Sequence, residues 1–152
     1  MKMAYFEDLK LGEKLTTQAR TITDAMATIF INVGGFAAPF FNDEIEASKT
    51  PMGWRALPGR VAFALMGGLL ETYLSGRDRS PGVSLFVGVN NMSMKIPLKV
   101  GDTIHLESER VELVETSNPR WGRVVDRETL INQKDEVVCM ADIIHLCERK
   151  PK

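Results

Sequence analysis

From Val61 to Leu74 the chain reads VAFALMGGLLETYL, and this stretch restricts the fold more than any other. Val61, Ala62, Phe63, Ala64, Leu65, Met66, Leu69 and Leu70 leave no face of a helix polar. A helix that is apolar all round has to be enclosed. Pro58 suits the first position of that helix, where a missing N–H removes no bond. The run is too short to span a bilayer and it carries Glu71, so the sequence predicts no membrane segment. The enclosure must therefore come from the rest of the chain.

Residues 82–149 can supply it. Val83, Leu85, Val87 and Val89 alternate with other residues, as do Met92, Met94 and Ile96. Such alternation is the mark of a strand with one buried face. Pro97 to Asp102, PLKVGD, predicts a turn, and Thr103 to Val114 alternates charged and apolar residues. Ser117-Asn118-Pro119 turns again, and the segments 122–132 and 137–146 predict a hairpin around QKDE. Helices first and a block of antiparallel strands after them indicate an α+β fold. A long curved antiparallel sheet around one central helix is the hot-dog arrangement, here expected as a single domain over residues 1–152.

The first third is predicted to contain a strand over Leu15 to Ile22 and then a helix. Thr23 suits its N-cap and Asp24 complements its dipole. Ala25, Ile29 and Val33 recur at helical spacing, and Gly34-Gly35 ends the pattern. The turn that follows, GGFAAPFFNDE, is unusually aromatic, which suggests a pocket wall. Asn42 is expected to cap a short helix, DEIEAS, with Asp43 on its dipole.

The charge balance argues against some partners. A formal net charge of −1 over 152 residues, with no Lys/Arg-rich run, excludes the usual signature of nucleic-acid or anionic-membrane binding. Cys139 and Cys147 form neither a disulfide framework nor a zinc pattern, and no His/Cys/Asp cluster stands at metal-ligand spacing. No metal or cofactor is expected. The start of the chain, MKMAYFEDLKLGEKL, is charged throughout. It lacks the apolar core of a signal peptide, so a reducing cytoplasm is the expected compartment.

YFEDLKLGEKL, TITDAM, GGFAAPFFNDEIEA, the helix start RALPGR and MKIPLKVGDTIHLES occur in an order that resembles the MaoC-like dehydratases. This is the (R)-specific enoyl-CoA hydratase family of hot-dog proteins. The similarity runs from about Tyr5 to Leu146. It implies a hot-dog helix from Pro58 to Leu74, a homodimer, and an acyl thioester substrate, usually acyl-CoA, whose acyl chain enters beside the central helix. Ala62, Ala64, Gly67 and Gly68 would leave it room. The family reaction is addition of water across a 2-enoyl thioester, or its reverse.

The resemblance also implies a site. Family members carry an Asp and a His in a turn of form G-D-x-N-P-x-H. Here Gly35 and Pro39 stand at their places, but Phe36 takes the Asp position, Phe41 the His position and Ala38 the Asn position. Phenylalanine can neither take nor give a proton, and general acid–base catalysis contributes about 10²–10⁴-fold. His105 and His145 lie on predicted strands, the first facing solvent and the second packed.

Other elements of the site have counterparts. The family places the thioester carbonyl at the N-terminus of the central helix, whose first N–H groups lack intrahelical partners. Pro58, Gly59 and Arg60 stand there. Gly59 would admit a ligand close to the backbone, and Arg60 would meet a phosphate-bearing one, although a surface charge is the plainer role. Asp43 and Glu71 are the remaining carboxylates that could hold a water, against simpler roles as a helix-dipole partner and a solvated side chain.

Three readings follow. The first is a degenerate site that binds an acyl thioester at Phe36, Phe41, Asn42, Pro58, Gly59 and Arg60. The second is an active hydratase or thioesterase using groups such as Asp43 or Glu71. The third is a non-catalytic partner in a heteromer with an active homologue.

Overall fold

The computed structural model describes residues 5–75 and 83–151. A single 3-10 turn at Phe6–Asp8 leads into two short strands, β1 (Lys14–Thr16) and β2 (Arg20–Thr21). Three helices follow: α1 (Asp24–Gly34), α2 (Pro39–Asn42) and α3 (Glu44–Ser48). The central helix α4 spans Gly59–Ser75. Four long strands complete the chain: β3 (Ser84–Met94), β4 (Thr103–Glu115), β5 (Trp121–Ile131) and β6 (Val137–Glu148).

The strands form one antiparallel sheet in the order β1-β4-β5-β6-β3, with β2 also paired to β4. Helix α4 packs against β4, β5 and β6. This is the α+β hot-dog arrangement that the sequence predicts. Alternation explains the strands. Ile104, Leu106 and Ser108 of β4 are buried while Glu107 between them is exposed. Leu106 pairs with Leu130, which pairs with Cys139, so one rung of three strands presents three buried side chains to α4.

From α4, Val61, Ala62, Leu65, Met66 and Leu69 enter this core, and Met66 is fully buried. Burying each large side chain stabilises the fold by about 1.5–3 kcal/mol. Ile22 just after β2, Leu98 in the 95–102 turn and Ile143 of β6 close the core.

The structure corrects several local expectations. The strand predicted over Leu15 to Ile22 is two short pieces; at Thr17, whose N–H still donates to the Leu106 carbonyl at 2.9 Å, the Leu106 N–H goes to the Thr17 hydroxyl at 2.9 Å in place of a backbone carbonyl. Helix α4 begins at Gly59, so Pro58 stands just outside it, its carbonyl accepting the Val61 N–H at 2.8 Å. The helix is also not enclosed on every side. Ala64, Gly67, Gly68, Glu71 and Thr72 are exposed. Small Ala and Gly residues count as apolar in a sequence, yet they bury little area and tolerate solvent. Finally, the two runs 83–89 and 92–96 are one strand, β3, kept continuous by register shifts around Gly88 and between Asn90 and Ser93.

Candidate active site

The aromatic turn is built by the end of α1. Thr23 caps that helix, its hydroxyl accepting the Met26 N–H at 3.3 Å. At the other end Gly35 adopts φ 64°, a left-handed conformation that a side chain disfavours. Its N–H reaches the Asn32 carbonyl, and the Phe36 N–H reaches the Ile31 carbonyl at 3.0 Å. The chain is thereby folded back, and the half-buried Phe36 ring packs against the core.

Pro39 then opens α2, where its fixed φ suits the first turn. The rings of Phe40 and Phe41 lie 4.4 Å apart, and Phe36 meets Phe41 edge-on at 6.2 Å. Such pairs contribute about 0.5–1.5 kcal/mol beyond area burial.

The cap expected at Asn42 falls on Asp43 instead. Asn42 ends α2, and its amide donates to the carbonyls of Phe36 at 2.9 Å and Ala38 at 3.2 Å. Asp43 is the cap of α3: its Oδ1 accepts the N–H groups of Ile45 at 2.7 Å and Glu46 at 3.2 Å. The cap moves by one residue because the Asn42 amide can close the turn as a donor, which a carboxylate cannot do.

At the start of α4, Pro58 is buried, while Gly59 and Arg60 are exposed. The Leu57 N–H donates to the Leu98 carbonyl at 2.7 Å and fixes this corner. A side chain at Gly59 would meet Met94, whose Cγ lies 3.5 Å from the place of a Cβ. Arg55 bridges the start of α1 through Asp24 and the start of α3 through Glu44, the latter at 3.2 Å. One guanidinium thus ties the segment leading into α4 to both helices that flank the aromatic turn.

Glu71 is exposed on the last turns of α4. It lies near enough to His145 of β6 to favour the protonated imidazole, although burial is the larger influence and lowers the His145 pKa. The His145 ring meets Phe86 edge-on at 6.3 Å. His105 is half-buried, with Nε2 4.0 Å from the Glu107 carboxylate.

Sequence reasoning missed a polar row on the sheet face that His145 shares. Arg110 of β4 holds Asp126 of β5 at 3.1 Å and Glu13 at 2.7 Å. Two residues along β5 from Asp126, Glu128 is only 2% exposed. Burial first, and the negative charge of Asp126 second, push its carboxyl up to about 7. In the sequence WGRVVDRETLI charges fall on both faces of the strand, so alternation could not single out the buried one.

The room foreseen beside α4 is found at Ala64 and Gly68, whereas Ala62 is in the core. A cavity of about 240 Å³ opens there, between α1 and α4. Met26, Ile29, Phe30 and Leu69 also line it, and neither Phe36 nor Phe41 does.

No family model matches the chain. A 3-hydroxybutyryl-CoA dehydratase from Methylorubrum extorquens is 26% identical over 114 residues, which cover 75% of this chain and 68% of that protein. Protein MaoC from Klebsiella aerogenes is 29% identical over 102 residues; the match spans 67% of this chain but only 29% of that much longer protein. Among solved structures, a monoamine oxidase regulatory protein from Archaeoglobus fulgidus superposes with a TM-score of 0.91 at 25% identity, covering 99% of this chain and 98% of that one. The curved antiparallel sheet around α4 is the hot-dog fold, and in sequence and in structure the chain is similar to MaoC-like proteins.

Proposed function

We propose that this chain binds an acyl thioester, such as an acyl-CoA, at a hydratase-type site that has lost its acid–base pair. One observation carries the reading. The turn after α1 bends, with Gly35 left-handed and Pro39 opening α2, and it carries Phe36 and Phe41 where the resemblance would put proton-transferring groups. Hydration of a 2-enoyl thioester needs a base to activate water, an acid to protonate the α-carbon, and a donor for the enolate oxygen. The third survives in the first turn of α4 at Gly59 and Arg60, where backbone N–H groups have no intrahelical acceptor. The first two have no replacement at the turn, since the Asp43 Oδ1 is engaged in capping α3. The likeness to a 3-hydroxybutyryl-CoA dehydratase supports the thioester class.

The chain acts as a homodimer in this proposal. β3 ends the sheet. It exposes Leu85 at 45%, Phe86 at 55% and Val87 at 51%. An apolar strand edge is normally paired or protected. Free thiols at Cys139 and Cys147 agree with a reducing, cytoplasmic setting.

The test is incubation of the pure protein with a short 2-enoyl-CoA, products read by mass. The expected result is unchanged thioester together with saturable binding. Gain of one water with the thioester intact would overturn the degenerate site, and release of free coenzyme A would assign a thioesterase instead.

A further inference from the structure

Residues 5–13 run from the end of β6 across β5 to β4, at the Gly122 end of the sheet. The 3-10 turn Phe6–Asp8 seats one ring there. A Cβ at Gly122 would stand 2.2 Å from the Phe6 ring, so the ring lies directly on the Gly122 backbone. Only a residue without a side chain leaves that seat open. Phe6 is buried, yet it stands apart from the continuous core between α4 and the sheet. The rest of the segment buries little, and Leu11 is 65% exposed.

Ion pairs hold both ends. On the β6 side the Arg149 guanidinium lies 5.7 Å from the Phe6 ring centroid, and it reaches Glu7 at 2.8 Å and Glu115 at 3.3 Å. The Lys150 N–H donates to Glu7 at 3.0 Å, and the Lys150 ammonium meets Asp8. The Lys150 N–H first, and Arg149 second, hold the Glu7 carboxyl below its ordinary pKa. On the β4 side Glu13 accepts from Arg110 at 2.7 Å. There the Gly12 N–H donates to the Arg110 carbonyl at 2.8 Å, and the Arg110 N–H to the Glu13 carbonyl at 2.9 Å. One ring and a set of surface charges are weak anchorage beside a packed core, because such pairs contribute little and salt screens them. Segments held in this way open locally, below the free energy of global unfolding.

We propose that residues 5–13 form a releasable strap, seated by the Phe6 ring on Gly122 and latched by ion pairs at both ends, which opens as a unit while the sheet stays folded. Opening bares the sheet face at Cys147, the residue opposite Gly122 in the ladder. Ionic strength sets how often it opens. The strap is separate from the aromatic turn and does not depend on thioester binding there.

Hydrogen exchange and iodoacetamide labelling, both read by mass on the full chain, test the assignment on wild type, Gly122→Ala and Glu7→Gln. In wild type the Gly12 N–H should exchange faster than the ladder amides of β5 and β6, and faster in high salt than in low. Gly122→Ala unseats the ring. It should speed both Gly12 exchange and Cys147 labelling by about 10–100-fold, the factor equivalent to losing the burial of one large side chain. Glu7→Gln should speed both by about 2–5-fold, as for a surface ion pair. Cys139, fully buried in the core, should stay unlabelled in all three proteins, which marks opening without unfolding. Labelling of Cys139 in step with Cys147, or Gly12 exchange no faster than that of the ladder amides, would overturn the proposal. So would wild-type rates at both sites in Gly122→Ala, which would make the segment a fixed part of the fold.

Discussion

Asp126 and Glu128 stand two residues apart on the same face of β5, and only Asp126 has a cation beside it, Arg110 at 3.1 Å. Glu128, opposite Ser108 and Ala141 in the ladder, is buried, and among the described residues no cation pairs with it. The carboxyl raised to about 7 by burial and by Asp126 makes folding pH-dependent. The folded chain holds this proton more tightly than the unfolded chain does. Stability is therefore greatest below the ordinary value of 4.5 and is lost as pH rises to about 7, a cost on the order of 3 kcal/mol. Glu128→Gln should flatten that part of the profile, read as urea midpoints between pH 4.5 and 8. An unchanged slope would show that the carboxyl is not desolvated.

His145 acts with the opposite sign. Burial lowers its pKa below the ordinary 6.5, so the unfolded chain takes up the proton first. Acidification below that value should destabilise the fold, and His145→Gln should remove this contribution. Imidazole chemical shifts against pH would check the direction, a titration midpoint above 6.5 being the contrary outcome.

The α3 cap separates two roles for Asp43. Its Oδ1 accepts two backbone N–H groups, so Asp43→Ala should cost about 1 kcal/mol. Asp43→Ser keeps an acceptor and should restore most of the loss. If the carboxylate instead activated a water, thioester hydrolysis would be measurable in wild type and absent in both variants.

Restoring the proton-transfer groups is the direct test of the turn. Phe36→Asp with Phe41→His should introduce hydration of a 2-enoyl-CoA that the proposed degenerate site would not carry out. Phe36 packs against the core, so the exchange should also lower stability, by about 2–4 kcal/mol for the loss of a partly buried ring. The midpoint of thermal unfolding would separate an unfolded variant from a folded, inactive one.

Much of this was legible in the sequence because it rested on periodicity and caps. The alternation in β4, the Thr23 cap and the helix end at Gly34-Gly35 all correspond to local rules. What escaped depended on neighbours. Whether Asn42 or Asp43 caps α3 turns on which side chain must donate to Phe36 and Ala38. The buried Glu128 lies in a strand with charges on both faces, and the exposed side of α4 is made of Ala64, Gly67 and Gly68, residues that hydropathy cannot assign to core or solvent.

The β3 edge predicts its own outcome. Val87 is 51% exposed beside Leu85 and Phe86, at a place where the ladder to β6 shifts register. A lysine there would place a charge between two paired edges while leaving the core untouched. Val87→Lys should shift the protein from dimer to monomer in light scattering, at little cost to the monomer, since surface substitutions stay within about 0.5 kcal/mol. Natural sheets protect their edges with lysine for this reason. A variant that still dimerises as wild type does would move the interface to another surface.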